Sequence, residues 1–104
     1  MEIKQNLVNE GKYSIKCPYE RTPQFYVVHN TYNDAPAKNE VSYMIGNNNK
    51  VSFHWAVDDV EAIQGLPENR SAFASGDGKR GQGNLYGIHV EICYSKSGGD
   101  RFNK

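Results

Sequence analysis

The chain has 104 residues, 38% of them hydrophobic, and its 12 Lys and Arg residues balance 12 Asp and Glu residues to give a formal net charge of 0. A chain of this length forms one domain at most, and its balanced charge gives no broad basic field for nucleic acid or anionic lipid. Because no apolar run reaches the roughly 18 residues that cross a bilayer, we expect neither a nucleic acid nor a membrane as partner.

The N-terminal segment MEIKQNLVNEGKY contains one short hydrophobic patch and lacks the apolar core of a signal peptide. We therefore expect the chain to be made in the cytoplasm without an export signal. Cys17 and Cys93 are far apart in such a chain, so free thiols are expected rather than a disulfide.

The stretch QFYVVHN predicts the first core strand, because its apolar residues alternate over positions 25–29. Phe25, Val27 and His29 share one face of that strand. Both faces are expected to be largely covered by the rest of the domain. The strand ends on an imidazole, which is an ordinary core or edge residue unless other polar groups gather beside it.

The following segment predicts a short amphipathic helix, with Pro36 near its first turn and Gly46 and Asn47 closing it. Either Asn33 or Asp34 is the candidate N-cap. The apolar residues that define its buried face are Ala37, Val41, Met44 and Ile45.

Two short strands are predicted next, in VSFHWAVDD and in EAIQGL. The first places Phe53, Trp55 and Val57 on one side and His54 on the other. From 67 to 87 the sequence predicts a long surface loop with at most one helical turn. Within it, GDGKRG matches Gly-x-Gly-x-x-Gly, but no strand precedes it and no helix follows, so it predicts no dinucleotide site.

The clearest strand is YGIHVEICYS, in which the isoleucines and Val90 face one way and His89, Glu91 and Cys93 face the other. A carboxylate in this setting is costly to bury without a partner, so both a functional role and a structural ion pair remain open for Glu91. His89, Glu91 and Cys93 also form a possible ligand set, although alternate strand positions about 7 Å apart converge poorly on one ion.

If the first, second and last of these strands are neighbours, His29, His54 and Glu91 gather near one opening. Two imidazoles and a carboxylate are the groups of a zinc site with a general base, in which the metal lowers the pKa of a bound water. Their spacing in the chain follows no metal-site motif, so the residues alone leave this interpretation open.

Three segments, in this order, carry a family resemblance: YVVHNTYNDAPAKNEVSYMIGNNNKVSFHWAVDD, AIQGLPENRSAFASGDG and VEICYSKSGGDRF. They resemble the catalytic domain of zinc-dependent N-acetylmuramoyl-L-alanine amidases, the type shared by peptidoglycan recognition proteins and endolysins of phages and prophages. The resemblance implies an α/β fold with a mixed central β-sheet flanked by helices. It covers residues 1–104, which would form the N-terminal part of a single amidase domain that lacks the C-terminal helices.

The resemblance also implies the site. His29 matches a zinc ligand, Glu91 matches the general base, and His54 and Asn30 are expected to line the cleft and bind substrate. The implied reaction is hydrolysis of the amide between N-acetylmuramic acid and the L-alanine of the stem peptide, at the bacterial cell wall. Peptidoglycan is the implied substrate and zinc the implied cofactor.

The chain departs from the family pattern because the later part of the domain, with a second histidine and a third ligand, has no counterpart among its 104 residues. Little activity is therefore expected from the monomer, and an uncovered sheet face is expected to favour a homodimer. Three alternatives stay open: an inactive fragment, a non-catalytic peptidoglycan-binding or regulatory module, and a site that recruits His89, Cys93 or a partner subunit. A small dimeric interaction domain with no peptidoglycan ligand is the fourth.

Overall fold

The computed structural model describes residues 1–31, 34–74, 76 and 81–93. Within these ranges the chain forms five strands, three short α-helices and one 3₁₀ turn at Glu10–Lys12. The strands are β1 (Glu2–Gln5), β2 (Phe25–Asn30), β3 (Trp55–Val57), β4 (Glu61–Gln64) and β5 (Gly87–Ile92), and the helices are α1 (Tyr13–Lys16), α2 (Ala37–Gly46) and α3 (Gln82–Tyr86).

The five strands form one sheet in the order β1-β4-β3-β5-β2. β3 and β4 pair antiparallel, whereas the other neighbours pair parallel. The predicted mixed central sheet with flanking helices is therefore confirmed. No helix in the described ranges is long and apolar enough to cross a membrane.

Helix α2 packs on one face of the sheet. Its residues Ala37, Val41 and Met44 are buried in the main hydrophobic cluster, together with Ala56 of β3 and Ile63 of β4. The helix bounds agree with the apolar periodicity of the sequence, because a stripe at positions 37, 41 and 44 has one face to bury. Removing that stripe from water is what holds the helix on the sheet.

The cap of α2 differs from the prediction. The N-cap position is Pro36, which makes no side-chain cap bond, and Asn33 lies outside the described residues. Instead the buried carboxylate of Asp58 accepts the Ala37 N–H at 2.8 Å from across the fold. A carboxylate beside the positive end of a helix is favourable in both charge and hydrogen bonding, so Asp58 replaces a local cap.

Substituting Asp58 by alanine should lower the free energy of unfolding by roughly 3 kcal/mol. The same carboxylate also accepts the N–H groups of Val60 and Glu61 at 2.8 and 2.9 Å, so three backbone donors lose their partner together. Urea denaturation measures the change. Asp59→Ala is the matched control, since Asp59 is exposed, and an equal loss in both variants would contradict the assignment.

Several elements were not predicted, or were predicted with other bounds. β1 and α1 were missed, and the strand predicted in VSFHWAVDD covers only Trp55–Val57. The shortening follows from Ser52, whose N–H binds the Phe73 carbonyl and whose hydroxyl donates to the Lys16 carbonyl instead of continuing the ladder. The helical turn predicted in the long loop is α3, and the free thiols predicted for Cys17 and Cys93 are confirmed.

The expectation that β2 is covered on both faces is wrong. Tyr26 is 71% exposed and Val28 is 67% exposed. β2 lies at one edge of the sheet and β1 at the other, and Ile3 of β1 is 75% exposed on the same side as Tyr26 and Val28. We call this side, opposite α2, the open face.

The predicted homodimer stays a prediction, with the open face as its expected interface, because exposed apolar residues on one face of a sheet favour self-association. Light scattering of the wild type should give a mass that rises towards a dimer with concentration, and Val28→Glu should hold the chain monomeric. Val60→Glu is the control, because Val60 is also exposed but lies in the turn between β3 and β4. A constant monomer mass in all three proteins would exclude the dimer.

Candidate active site

The parallel pairing of β2 and β5 sets His29 directly beside Glu91. Partners in register on neighbouring strands project to the same face of a sheet, so the imidazole and the carboxylate lie side by side. Glu91 has Ala56 as its partner on the other side, and the small alanine leaves room next to the carboxylate. The topology thus brings together two polar groups that are 62 positions apart in the chain.

His29 and Glu91 line a cavity of about 360 Å³, within the usual size of a small-molecule site. Its apolar wall includes Met44, Val51 and Phe53. Its polar lining also includes Asn30 at the end of β2 and Thr31 directly after it. The predicted role of Asn30 in substrate binding is compatible with this position and stays a prediction. The remaining residues that line the cavity are Glu40, Tyr43, Asn47 and Asn49.

Helix α2 supplies polar residues that the sequence analysis did not select. Glu40, Tyr43 and Asn47 are spaced three and four positions apart, which places them on one side of the helix and of its C-terminal turn. All three line the cavity next to the buried stripe. The signal was present in the sequence as a polar stripe that follows the apolar one, but it identifies a site only once the helix is known to border a cavity.

A fully buried lysine, Lys16, holds residues 47–51, the segment after α2 that forms one wall of the cavity. The Lys16 ammonium donates to Asn47 Oδ1 at 2.7 Å and to the carbonyls of Asn49 and Val51 at 2.6 and 3.0 Å. Three acceptors satisfy its three protons, which makes the burial of this charge tolerable. Residues 47–51 are thereby held against α1, and three of them line the cavity.

The cavity changes the acidity of both central groups. Burial, and second the charge of Glu40, raise the pKa of the Glu91 carboxyl above its ordinary range. Burial lowers the pKa of the His29 imidazole, which favours its neutral form. A carboxyl with a raised pKa is suited to accept and return a proton near neutral pH, and a neutral imidazole has a lone pair for a ligand.

In the metal-free chain we expect the ¹³C titration of the Glu91 carboxyl to have its midpoint above the ordinary value of 4.5. Glu40→Gln should move that midpoint down without restoring 4.5, since burial is the larger cause. Glu2→Gln, on the distant strand β1, should leave it unchanged. A wild-type midpoint at or below 4.5 would contradict the described environment.

The prediction that His54 lines the cleft is wrong. Its ring is fully buried and does not border the cavity. His54 Nδ1 accepts the backbone N–H of His89 at 3.0 Å, and Nε2 lies 2.8 Å from the Arg70 carbonyl oxygen. Burial, together with neighbouring positive charge, lowers the pKa of His54 to about 4, so this residue is a neutral core histidine.

His89 and Cys93 do not supply replacement ligands in the described geometry. Both are fully buried. The two ring nitrogens of His89 already lie at hydrogen-bond distance from other groups, Nδ1 at 2.9 Å from His29 Nε2 and Nε2 at 2.8 Å from the Gly83 carbonyl oxygen. A nitrogen engaged in this way has no lone pair free for a metal. His89 instead forms a hydrogen bond with the imidazole of His29.

The described residues fit one zinc ligand and not a full set. Across the ranges 1–31, 34–74, 76 and 81–93, no three or more His, Cys, Asp or Glu side chains are grouped so that they could hold a metal ion. His29 offers a neutral imidazole beside a carboxylate, whereas catalytic zinc takes three protein ligands. A zinc site at His29 therefore needs ligands from beyond the described residues.

Comparison with known proteins gives the family. Residues 19–104 match the family model described as N-acetylmuramoyl-L-alanine amidase. The N-acetylmuramoyl-L-alanine amidase XlyB of Bacillus subtilis (strain 168) is 58% identical over 100 residues, which are 96% of this chain and 32% of the relative. CwlA of a Bacillus species, with the same enzyme name, is 57% identical over 104 residues, 100% of this chain and 41% of the relative.

Solved structures agree. PlyL superimposes with a TM-score of 0.91 at 65% identity, over 98% of this chain and 64% of that chain. The PlyG catalytic domain superimposes with a TM-score of 0.90 at 66% identity, over 98% of this chain and 61% of that domain. The chain thus spans less than two thirds of these structures and less than half of the curated relatives. The matches confirm the resemblance found in the sequence: the chain belongs to the N-acetylmuramoyl-L-alanine amidase family.

Proposed function

We propose that this chain carries the substrate groove and the proton-transfer residue of a peptidoglycan amidase. The reaction is hydrolysis of the amide between N-acetylmuramic acid and the L-alanine of the stem peptide, in cell-wall lysis of the endolysin kind. The single observation that supports it most strongly is the register pairing of His29 with Glu91 inside one cavity. The two relatives named above support the reaction type, because both bear the name N-acetylmuramoyl-L-alanine amidase.

In this proposal Glu91 is the general base and acid. Its carboxylate takes a proton from the attacking water and returns one to the alanine nitrogen as the amide bond breaks. The raised pKa of Glu91 supports this role, because burial makes its carboxylate a stronger base than an exposed glutamate and so favours uptake of the proton from water. The neighbouring Glu40 raises that pKa further, from the helix side of the cavity.

His29 is the proposed metal ligand. Zinc bound there would polarise the scissile carbonyl and lower the pKa of water, which is the chemistry that such a metal supplies. The remaining lining is proposed to bind the substrate: Asn30, Asn47 and Asn49 carry amide groups that suit a peptide and an N-acetyl sugar. The fully buried His54 is left out of substrate binding.

A second candidate is a non-catalytic peptidoglycan-binding module. The specific observation that favours it is the single ligand position within the described residues. Both candidates bind peptidoglycan in the same groove, and both act at the bacterial cell wall. They differ in whether the amide is cut.

One experiment separates these candidates. The purified chain is incubated with isolated cell walls and zinc, and retention on the walls, new alanine amino groups and new reducing sugars are measured. The amidase predicts retention and new amino groups without reducing sugars, at a low rate for the monomer. Retention without new amino groups supports the binding module. No retention excludes both and leaves a small interaction domain.

A further inference from the structure

All three histidines of the chain lie in one row beneath the cavity. The rings of His29 and His89 have centroids 5.2 Å apart, and those of His89 and His54 are 5.9 Å apart and nearly parallel. Only His29 borders the cavity, while the other two are fully buried. The row therefore connects a group at the site with the core of the domain.

The hydrogen bonds of the row specify where its protons are. His89 Nε2 lies 2.8 Å from the carbonyl oxygen of Gly83, which can only accept, so Nε2 carries the proton. A second proton on this ring would bury a charge at a fully buried position. The neutral ring consequently has its lone pair on Nδ1, and His29 Nε2, 2.9 Å away, must donate to it.

The core holds His89 in place for this bond. The N–H of His89 donates to His54 Nδ1 at 3.0 Å, and the N–H of His54 donates to the His89 carbonyl at the same distance, so backbone and ring are fixed together. Gly87 leaves space for the hydrogen bond between His89 Nε2 and the Gly83 carbonyl oxygen. A Cβ at position 87 would lie 2.6 Å from the Gly83 oxygen and 3.1 Å from His89 Nε2.

We propose that His89 is a positioning residue, which holds His29 in the Nε2–H tautomer and so presents the Nδ1 lone pair to the cavity. Among the residues that the structure describes, Nδ1 of His29 has no hydrogen-bond partner, in contrast to Nε2. Nδ1 is then the atom that accepts a ligand, whether a metal cation or a donor N–H. In metal sites generally, a hydrogen bond to the ring nitrogen that does not bind the metal orients a liganding histidine in this way.

The inference concerns the same site as the proposed amidase function, but the proton position is measurable in the metal-free chain. In a sample with ¹⁵N-labelled histidine and a chelator, kept above the pKa of His29, we expect a ring proton bonded to His29 Nε2. A scalar coupling across the hydrogen bond should link that nitrogen to Nδ1 of His89. A proton found on His29 Nδ1, or on His89 Nδ1, would overturn the proposal.

Two substitutions test the role of His89. His89→Leu removes the acceptor, so the His29 Nε2 proton should exchange with water roughly tenfold faster, as expected for the loss of one hydrogen bond. His89→Asn keeps an acceptor oxygen near the position of Nδ1 and should retain slow exchange. Equally slow exchange in His89→Leu would overturn the proposal. If His89→Leu fails to fold, the wild-type coupling and proton position still decide it.

The outcomes distinguish this proposal from the amidase function. A correct tautomer in a chain that releases no alanine amino groups would reject the activity and keep the positioning role. Amide cleavage by a chain with the proton on His29 Nδ1 would keep the amidase activity and reject the positioning role of His89.

Discussion

Glu91→Gln is expected to lower the rate of amide cleavage on cell walls by a factor of about 10² to 10⁴, the usual contribution of a general acid or base. Glutamine has nearly the same shape as glutamate but cannot take a proton from water. Glu91 is half-buried in β5 and pairs in register with both His29 and Ala56, so the isosteric change should preserve the strand. The measurement is the release of new alanine amino groups.

Glu40→Gln is the matched control, since Glu40 lines the same cavity from α2. Its removal should change the cleavage rate only a few-fold, through the pKa of Glu91, and shift the acidic limb of the pH profile downwards. Cleavage by Glu91→Gln at the wild-type rate, with a folded protein, would reject the proton-transfer role. Loss of activity in Glu40→Gln alone would move that role to helix α2.

Lys16→Met should lower the free energy of unfolding by roughly 3 kcal/mol, because three acceptors in residues 47–51 lose the fully buried ammonium that binds them together. Burial lowers the pKa of the Lys16 ammonium, and removal of the charge recovers part of that cost, but the thioether cannot bind the acceptors. The carbonyls of Asn49 and Val51 would be released from α1. We also expect weaker retention on cell walls, since residues 47–51 form one side of the cavity.

Lys12→Met is the matched control, because it removes a nearby lysine charge without removing the buried ammonium of Lys16. Lys12 lies four positions earlier, and its ammonium donates to the Asn47 carbonyl at the longer distance of 3.3 Å. Its substitution should change the free energy of unfolding by less than about 1 kcal/mol, because one long hydrogen bond contributes little net stability. Urea denaturation measures both variants. A Lys16→Met protein as stable as wild type would show that the buried ammonium costs as much as its bonds contribute.

Regular periodicity predicted the elements that bury an apolar face. Helix α2 and strand β5 were found with nearly the observed bounds, because their stripes at three- to four-residue and two-residue spacing are long enough to be specific. Strand β1 was missed because EIKQ is exposed at every position, so no apolar alternation marks it. It is a strand because its backbone pairs with β4 at the sheet edge.

The site was only partly predictable for a related reason. The residue pattern raised His29 and Glu91 as candidates and the family resemblance implied their roles, but their contact depends on β2 lying next to β5, which the residue pattern left open. His54 was placed in the cleft wrongly, because nothing local distinguishes a core histidine from a lining one. The cap that Asp58 provides and the bonds of Lys16 were overlooked for the same reason: Ala37 is 21 positions from Asp58, and the groups that Lys16 binds are 31 to 35 positions away.

The most direct test is a titration of the labelled chain with a soluble muropeptide, an N-acetylmuramic acid that carries its stem peptide through L-alanine. We predict progressive NMR shifts at His29, Glu91 and Asn47 and unchanged signals at Tyr26 and Val28 on the open face. Shifts confined to the open face, or the absence of any shift at millimolar muropeptide, would contradict a substrate groove built around the imidazole and the carboxylate.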